Sequence, residues 1–341
     1  MLTVDPSGRL FFHLGTETVG LDCLGDFSFV SHAHFDHVPS LKRSKSVICS
    51  DPTIELIRAR GAFGDVLNKT EEKLERGTLS LAESGHVLGS RMLKIDGDGG
   101  SFLYTADFKT EDSLLFTGAK PIATDTLLIE STYGMPRFSF PKREEVYSEI
   151  TSWVRSSLAT GCVVLGGYPL GKAQEIIKVL NDQLGIVPVI SDEIADICEV
   201  YAKHGSKLDY VRSSSPEGVS AFGRSFVAVL PQNKVNSKLA ASLSSQYGKK
   251  FHTAVATGWA ASPNWGFDVD RAFCLSDHAD YAALVEFAEG CTPRKIFVNH
   301  GYARELAREL TKKGFDAKAV EEMRPAKGQQ TLVATQAKAR A

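Results

Sequence analysis

Ser31-His32-Ala33-His34-Phe35-Asp36-His37 decides the reading of this chain. Three of its nine histidines fall within these few positions. The stretch follows Asp26-Phe27-Ser28-Phe29-Val30, a β-rich run, so the cluster sits where a strand ends. Imidazole nitrogen and carboxylate oxygen suit zinc, and a carboxylate also tolerates manganese or iron. If the segment stays near-extended, side-chain alternation puts His32, His34 and Asp36 on one side. A sharp turn at Asp36-His37 then aims those two residues at a second ion. Two ions roughly 3.5–4 Å apart are a recurrent device for phosphodiester hydrolysis.

The rest of the chain sets the frame. Its 341 residues make one large or two ordinary domains at a scale of roughly 100–200 residues each. Lys plus Arg number 39 against 41 Asp plus Glu, a net charge of −2. That excludes a globally basic nucleic-acid binder and leaves a local basic groove open. Hydrophobic content of 43% and charged content of 23% exclude a disordered chain. Without a run of about 18 apolar residues no membrane helix is expected. Met1-Leu2-Thr3-Val4-Asp5-Pro6 does not read as a secretion signal. The six cysteines form no CxxC pair and read as reduced thiols, so a cytoplasmic location without membrane contact is expected.

Short strands dominate up to about residue 130, with one helix opened by Asp51-Pro52 and a hairpin turn at Asp96-Gly97-Asp98-Gly99-Gly100. After Pro141 the character changes. Helical patterns over Glu144–Leu158, Lys172–Leu184 and Ile194–His204 alternate with the apolar runs Cys162–Gly166, Pro188–Ser191, Phe226–Leu230 and His252–Ala256. Such alternation predicts a parallel α/β layer. The expected division is 1–140 as the first part of a core, 141–262 as an inserted domain, 263–325 as the returning core and 326–341 as a polar tail.

The histidine cluster needs partners further along. Glu83-Ser84-Gly85-His86-Val87-Leu88-Gly89-Ser90 puts His86 in a glycine-flanked loop, and Tyr104-Thr105-Ala106-Asp107-Phe108 puts Asp107 just after a strand. In this order, HxHxDH, GHxxGS and YTADF resemble the metallo-β-lactamase fold. The resemblance implies an α/β architecture, an αββα sandwich with metals at one edge of its two sheets. His32, His34 and His86 would hold one ion, Asp36 and His37 the other, and Asp107 would bridge them. Ile129-Glu130-Ser131-Thr132-Tyr133-Gly134, Leu275-Ser276-Asp277-His278-Ala279-Asp280 and Val298-Asn299-His300-Gly301 resemble the three motifs of the β-CASP nucleases, whose inserted cap domain would occupy 141–262. By that resemblance His300 completes the second ion site, His278 faces the scissile phosphate and Glu130 orients His278.

Gly134-Met135-Pro136, Gly171-Lys172-Ala173-Gln174-Glu175, Gly258-Trp259 and Val269–Phe273 are similar to ligase-associated DNA exonucleases, which stand beside the mRNA 3′-end processing nucleases. The implied activity is metal-dependent hydrolysis of DNA, expected to be single-stranded and exonucleolytic, with RNA processing as the alternative. Two divalent ions are implied, zinc first and manganese fitting, together with DNA repair, ligase or helicase partners. Paired ions lower the pKa of their water to roughly 7, and an imidazolium backed by a carboxylate suits protonation of the leaving oxygen. Lys172 at a helix start and Ser90 and Ser276 beside histidines are candidate phosphate contacts. Tyr133, Tyr168, Trp259 and Trp265 are candidates for base stacking, and Arg137 for the channel wall. A thioesterase- or glyoxalase-type hydrolase and a scaffold with a decayed site are the competing classes. The first lacks a long insert and a Glu130–His278 pair; the second would have lost ligands.

Overall fold

In a computed structural model of the chain, residues 1–39, 46–61, 72–74, 77–262 and 266–323 are described. Trp265 and the expected polar tail lie outside them. Apolar runs at the start of the chain pair into a five-stranded sheet of β1 (Leu2–Val4), β2 (Leu10–Leu14), β3 (Glu17–Leu21), β4 (Phe27–Phe29) and β5 (Val47–Ile48), in that order. Helix α1 (Asp51–Ala59) begins one residue earlier than its Asp51-Pro52 signal suggests: the Ser50 hydroxyl caps it by accepting from the Thr53 amide.

The next strands are β6 (Glu72–Leu74), β7 (Gly77–Glu83), β8 (Arg91–Gly97), β9 (Gly100–Tyr104) and β10 (Thr126–Glu130). Gly97 pairs with Gly100, which closes the hairpin at Asp98-Gly99 as its glycines predict. Val19, Leu21, Phe29 and Ile48 of the first sheet share one buried cluster with Leu79, Leu93, Phe102 and Leu128 of the second. The two sheets therefore pack face to face.

The predicted alternation of strand and helix follows: α2 (Arg143–Leu158), β11 (Cys162–Gly167), α3 (Lys172–Leu184), β12 (Val189–Ile190), α4 (Asp192–Lys203), β13 (Val211–Arg212), α5 (Pro216–Ala221), β14 (Val227–Pro231), α6 (Ser237–Tyr247), β15 (Phe251–Ala256) and β16 (Arg271–Phe273). Their six strands form one sheet in the order β13-β12-β14-β11-β15-β16, and every pairing is parallel. Every residue of the central strand β11 is buried, which explains its unbroken apolar run. Because β16 pairs with β15, the inserted sheet extends to Phe273, past the expected return at 263.

Only then does the chain rejoin the second sheet through α7 (Tyr281–Gly290), β17 (Lys295–Asn299), α8 (Ala303–Lys312) and β18 (Ala317–Ala319). That sheet has seven strands, ordered β18-β17-β10-β9-β8-β7-β6. Leu284, Phe287, Leu306 and Leu310 of α7 and α8 bury its second face against Leu127, Ile129, Ile296 and Val298. Strand β10 runs parallel to both β9 and β17, with Leu128 opposite Tyr104 and Glu130 opposite Asn299. Parallel registry thus brings Glu130, at the end of β10, and the segments after β9 and β17, carrying Asp107 and His300, to one edge. All six cysteines are free, and no described helix is long and apolar enough to cross a membrane.

Candidate metal centre and active site

The chain turns sooner than expected after His34. A 3-10 turn covers Phe35–His37, so strict alternation ends before Asp36. His32, His34 and His37 are buried, whereas the Asp36 side chain is 73% exposed. The loop between β7 and β8 brings His86 to the same place, and the end of β9 brings Asp107. His34 Nδ1 lies 3.1 Å from both His32 Nε2 and His86 Nε2. Asp107 Oδ2 is 3.6 Å from His32 Nε2 and 3.8 Å from His86 Nε2. One ligand atom from each of these four residues falls within 4.8 Å of the others.

The opposite nitrogen of each imidazole is held. His32 Nδ1 meets Ser31 Oγ at 2.9 Å, His34 Nε2 meets the Leu170 carbonyl at 3.1 Å, and His86 Nδ1 meets the Asp277 carbonyl at 2.9 Å. Such outer contacts fix tautomer and ring direction at metal sites. Burial, followed by neighbouring imidazoles, drives His32 and His86 well below the usual histidine range. Burial takes His34 down to about 4. All three imidazoles are therefore neutral, the form that binds a cation. Desolvation opposes charge on Asp107, but the fields of His37 and His278 prevail and hold it well below the carboxylate range. Three neutral imidazoles and one carboxylate converging inside a protein form a donor set that fits a divalent cation.

His37 stands behind Asp107, with Nε2 3.4 Å from its Oδ2 and 3.7 Å from Asp36 Oδ2. The His300 ring lies 5.6 Å from that of His37. Among the described residues, Asp36, His37 and His300 do not join a set whose ligand atoms all lie within 4.8 Å of one another. Sequence reasoning missed the residue that holds His37 from behind, Asp22. It accepts from the Ser31 amide and hydroxyl, from the Tyr104 hydroxyl at 2.9 Å, and lies 2.8 Å from His37 Nδ1. Its signal was faint, a lone acid upstream of the motif. Asp22, Ala106 and His300 have φ of 51°, 48° and 61°. Left-handed backbone at residues other than glycine costs energy; these three flank the histidine–carboxylate cluster, while Thr292, with φ of 48°, follows α7.

His278 and Glu130 meet across the pocket, Nδ1 to Oε1 at 2.8 Å. Glu130 also accepts from the Phe108 amide at 3.0 Å and the Thr132 amide at 3.1 Å, which fixes its carboxylate. Burial opposes charge on His278, yet Glu130 and then Asp107 outweigh it and raise the imidazole to about 9. The His278 ring is 4.6 Å from that of His86. A charged imidazole thus stands against the histidine–carboxylate cluster.

The site opens into a cleft of about 810 Å³ between the core and the inserted sheet. Tyr168, Lys172, Tyr133, Ser276 and Trp259 line it. Several expected substrate contacts are spoken for internally. Lys172 is 5% exposed, and its Nζ pairs with Asp277 Oδ1 at 2.8 Å, since a buried ammonium needs a counter-charge. Ser90 is turned inward: its Oγ accepts from the Val87 amide at 3.1 Å and the Ser84 hydroxyl at 2.8 Å, closing the His86 loop. Ser276 Oγ exchanges 3.0 Å hydrogen bonds with the His278 backbone. Tyr133 is buried among Phe138, Phe140 and Trp259, which leaves little ring face for a base. Arg137 lies over Phe138 and donates to the Tyr302 hydroxyl at 2.8 Å.

Comparison with known proteins agrees with this geometry. Residues 271–320 match the Zn-dependent metallo-hydrolase RNA specificity domain. A probable DNA ligase of Opitutus terrae is 32% identical over 86% of this chain and 29% of its own length. An RNase J-like protein of Methanocaldococcus jannaschii is 28% identical over 49% of this chain and 47% of its own. The chain belongs to the β-CASP metallo-β-lactamase nuclease family. It spans under half the length of these two relatives. A solved structure of a protein of unknown function from Enterococcus faecalis V583 shares the fold, with a TM-score of 0.56, 14% identity, and coverage of 88% of this chain and 79% of that one. The β-CASP member described here places His278 and His300 inside its matched domain.

Proposed function

We propose that the protein is a metal-dependent nuclease that hydrolyses phosphodiester bonds of single-stranded DNA from an end. The observation that carries this reading is the Glu130–His278 pair facing the His32–His34–His86–Asp107 cluster. His32, His34 and His86 would hold one divalent ion, Asp36, His37 and His300 a second, and Asp107 both; zinc suits the donors and manganese fits as well. Bound there, such ions supply a water of lowered pKa and neutralise phosphate charge.

The protein's own part is to position and to move a proton. Glu130, held by two amides, keeps His278 charged and aimed through Nδ1, so Nε2 is the nitrogen that gives a proton to the leaving oxygen. Ser276 fixes the His278 backbone. The layered core is read as the αββα sandwich of the family, with 141–273 as the cap that roofs the cleft. Six free thiols fit a reducing, cytoplasmic setting. Relationship to part of a probable DNA ligase supports DNA and a repair context; the match to an RNA specificity domain favours RNA as the second reading.

Incubation with 5′- and 3′-labelled DNA and RNA oligonucleotides tests both. The expected result is mononucleotides from DNA, abolished in an Asp36→Ala, Asp107→Ala double variant. Equal cleavage by the double variant would sink the proposal, and a ladder from RNA alone would transfer it to the second reading.

A further inference from the structure

We infer that Phe35, Arg60 and Tyr168 form a subsite at the mouth of the cleft that grips one unpaired nucleotide beside the reacting phosphate. The inference rests on the nuclease reading and deepens it. Phe35 lies within the histidine motif, yet its ring is 56% exposed while His34 and His37 on either side are buried. An aromatic ring left open in so polar a place is not core filler. The Arg60 guanidinium covers one face, 3.9 Å from the ring centroid. Arg60 comes from the end of α1, outside every motif, and lines the same cleft. It donates to the Ala33 carbonyl and hydrogen-bonds with Tyr168. No carboxylate among the described residues lies within ion-pair distance of it. A guanidinium carries five N–H donors in a fork that matches phosphate, and Arg60 lines the cleft.

Tyr168 approaches from the inserted domain, 45% exposed and edge-on to His34 at 4.9 Å. A guanidinium that feels Glu193 and Asp36 but is ion-paired with neither, two open rings and the histidine–carboxylate cluster therefore meet at one cleft. The ligand that satisfies all three is a nucleotide: its base against the open face of Phe35 or on Tyr168, its phosphate on Arg60. In a duplex both faces of a base are already stacked, so the subsite takes a strand only where it is unpaired.

Binding of a fluorescein-labelled single-stranded oligodeoxynucleotide to the full chain, followed by anisotropy in EDTA, tests this without turnover. Phe35→Ala and Phe35→Leu are expected to weaken binding roughly tenfold. On the same strand made with abasic residues they are expected to match the unsubstituted protein. Arg60→Gln is expected to weaken binding and flatten its salt dependence. Unchanged affinity in all three variants, with the unsubstituted protein binding normally, overturns the subsite alone. Failure of the unsubstituted protein to bind either DNA or RNA overturns the nuclease reading with it.

Discussion

Asp22 shows how much one carboxylate can organise. Through Ser31, Tyr104 and His37 it fixes both sides of the histidine motif. Asp22→Ala leaves those donors without a buried partner. It is expected to weaken metal binding roughly 10–100-fold, read by competition with a chromophoric chelator; unchanged affinity would show that the motif holds itself. On the proposed mechanism Glu130 acts on a proton instead. A general acid works below its own pKa, so activity is expected to fall as pH rises through that of His278, which Glu130 and Asp107 raise to about 9. Bound cations would bring this value down. Replacing Glu130 by Gln removes the negative neighbour, lowers the His278 pKa further, and is expected to move the alkaline limb to lower pH by at least about one unit. A limb that stays put in the full pH–rate profile contradicts the assigned role. The side-chain cluster was legible in the sequence because its members sit in motifs of fixed spacing. Asp22, the Leu170 carbonyl and Arg60 were not, because nothing in a primary sequence marks a lone acid, a backbone oxygen or a helix-end arginine as neighbours of distant histidines.

At the scale of elements, the start of α3 couples the inserted domain to the ligands. Gly171 has φ of 101°, and a Cβ there would meet Val87 Cγ1 at 2.6 Å and Asp277 Oδ2 at 3.0 Å. Gly171→Ala would press on the loop carrying His86 and on the segment whose carbonyl orients it. The expected cost is about 1–3 kcal/mol of stability. It should appear as a lower melting temperature with a smaller rise on adding zinc; a variant that melts and responds like the parent argues against close packing here. Helix and strand positions were largely readable, since α3 matches its periodic pattern end to end. The far boundary of the insert was not. A three-residue edge strand such as β16 is too short to show a period, and only its pairing with β15 reveals its allegiance.

For the molecule as a whole, buried charges tie the insert to the core. Arg143 on α2 bonds Glu111 at 3.0 Å and the Ser276 carbonyl at 2.6 Å in the core, and Glu175 on α3 in the insert. Removing one member of a buried network leaves the others unpaired, so Arg143→Met is expected to lose roughly 3–5 kcal/mol in denaturant titration, in a single transition. Two separated transitions would show that the halves unfold independently. The cleft between these halves is also expected to favour single strands, and equal rates on a blunt duplex of the same sequence would contradict that. The oxygen that steadies His34 belongs to Leu170, on the far wall. On the proposed function, parting the two lobes to load or release a strand would strip that imidazole of its anchor, so admission and chemistry would be successive phases of one cycle.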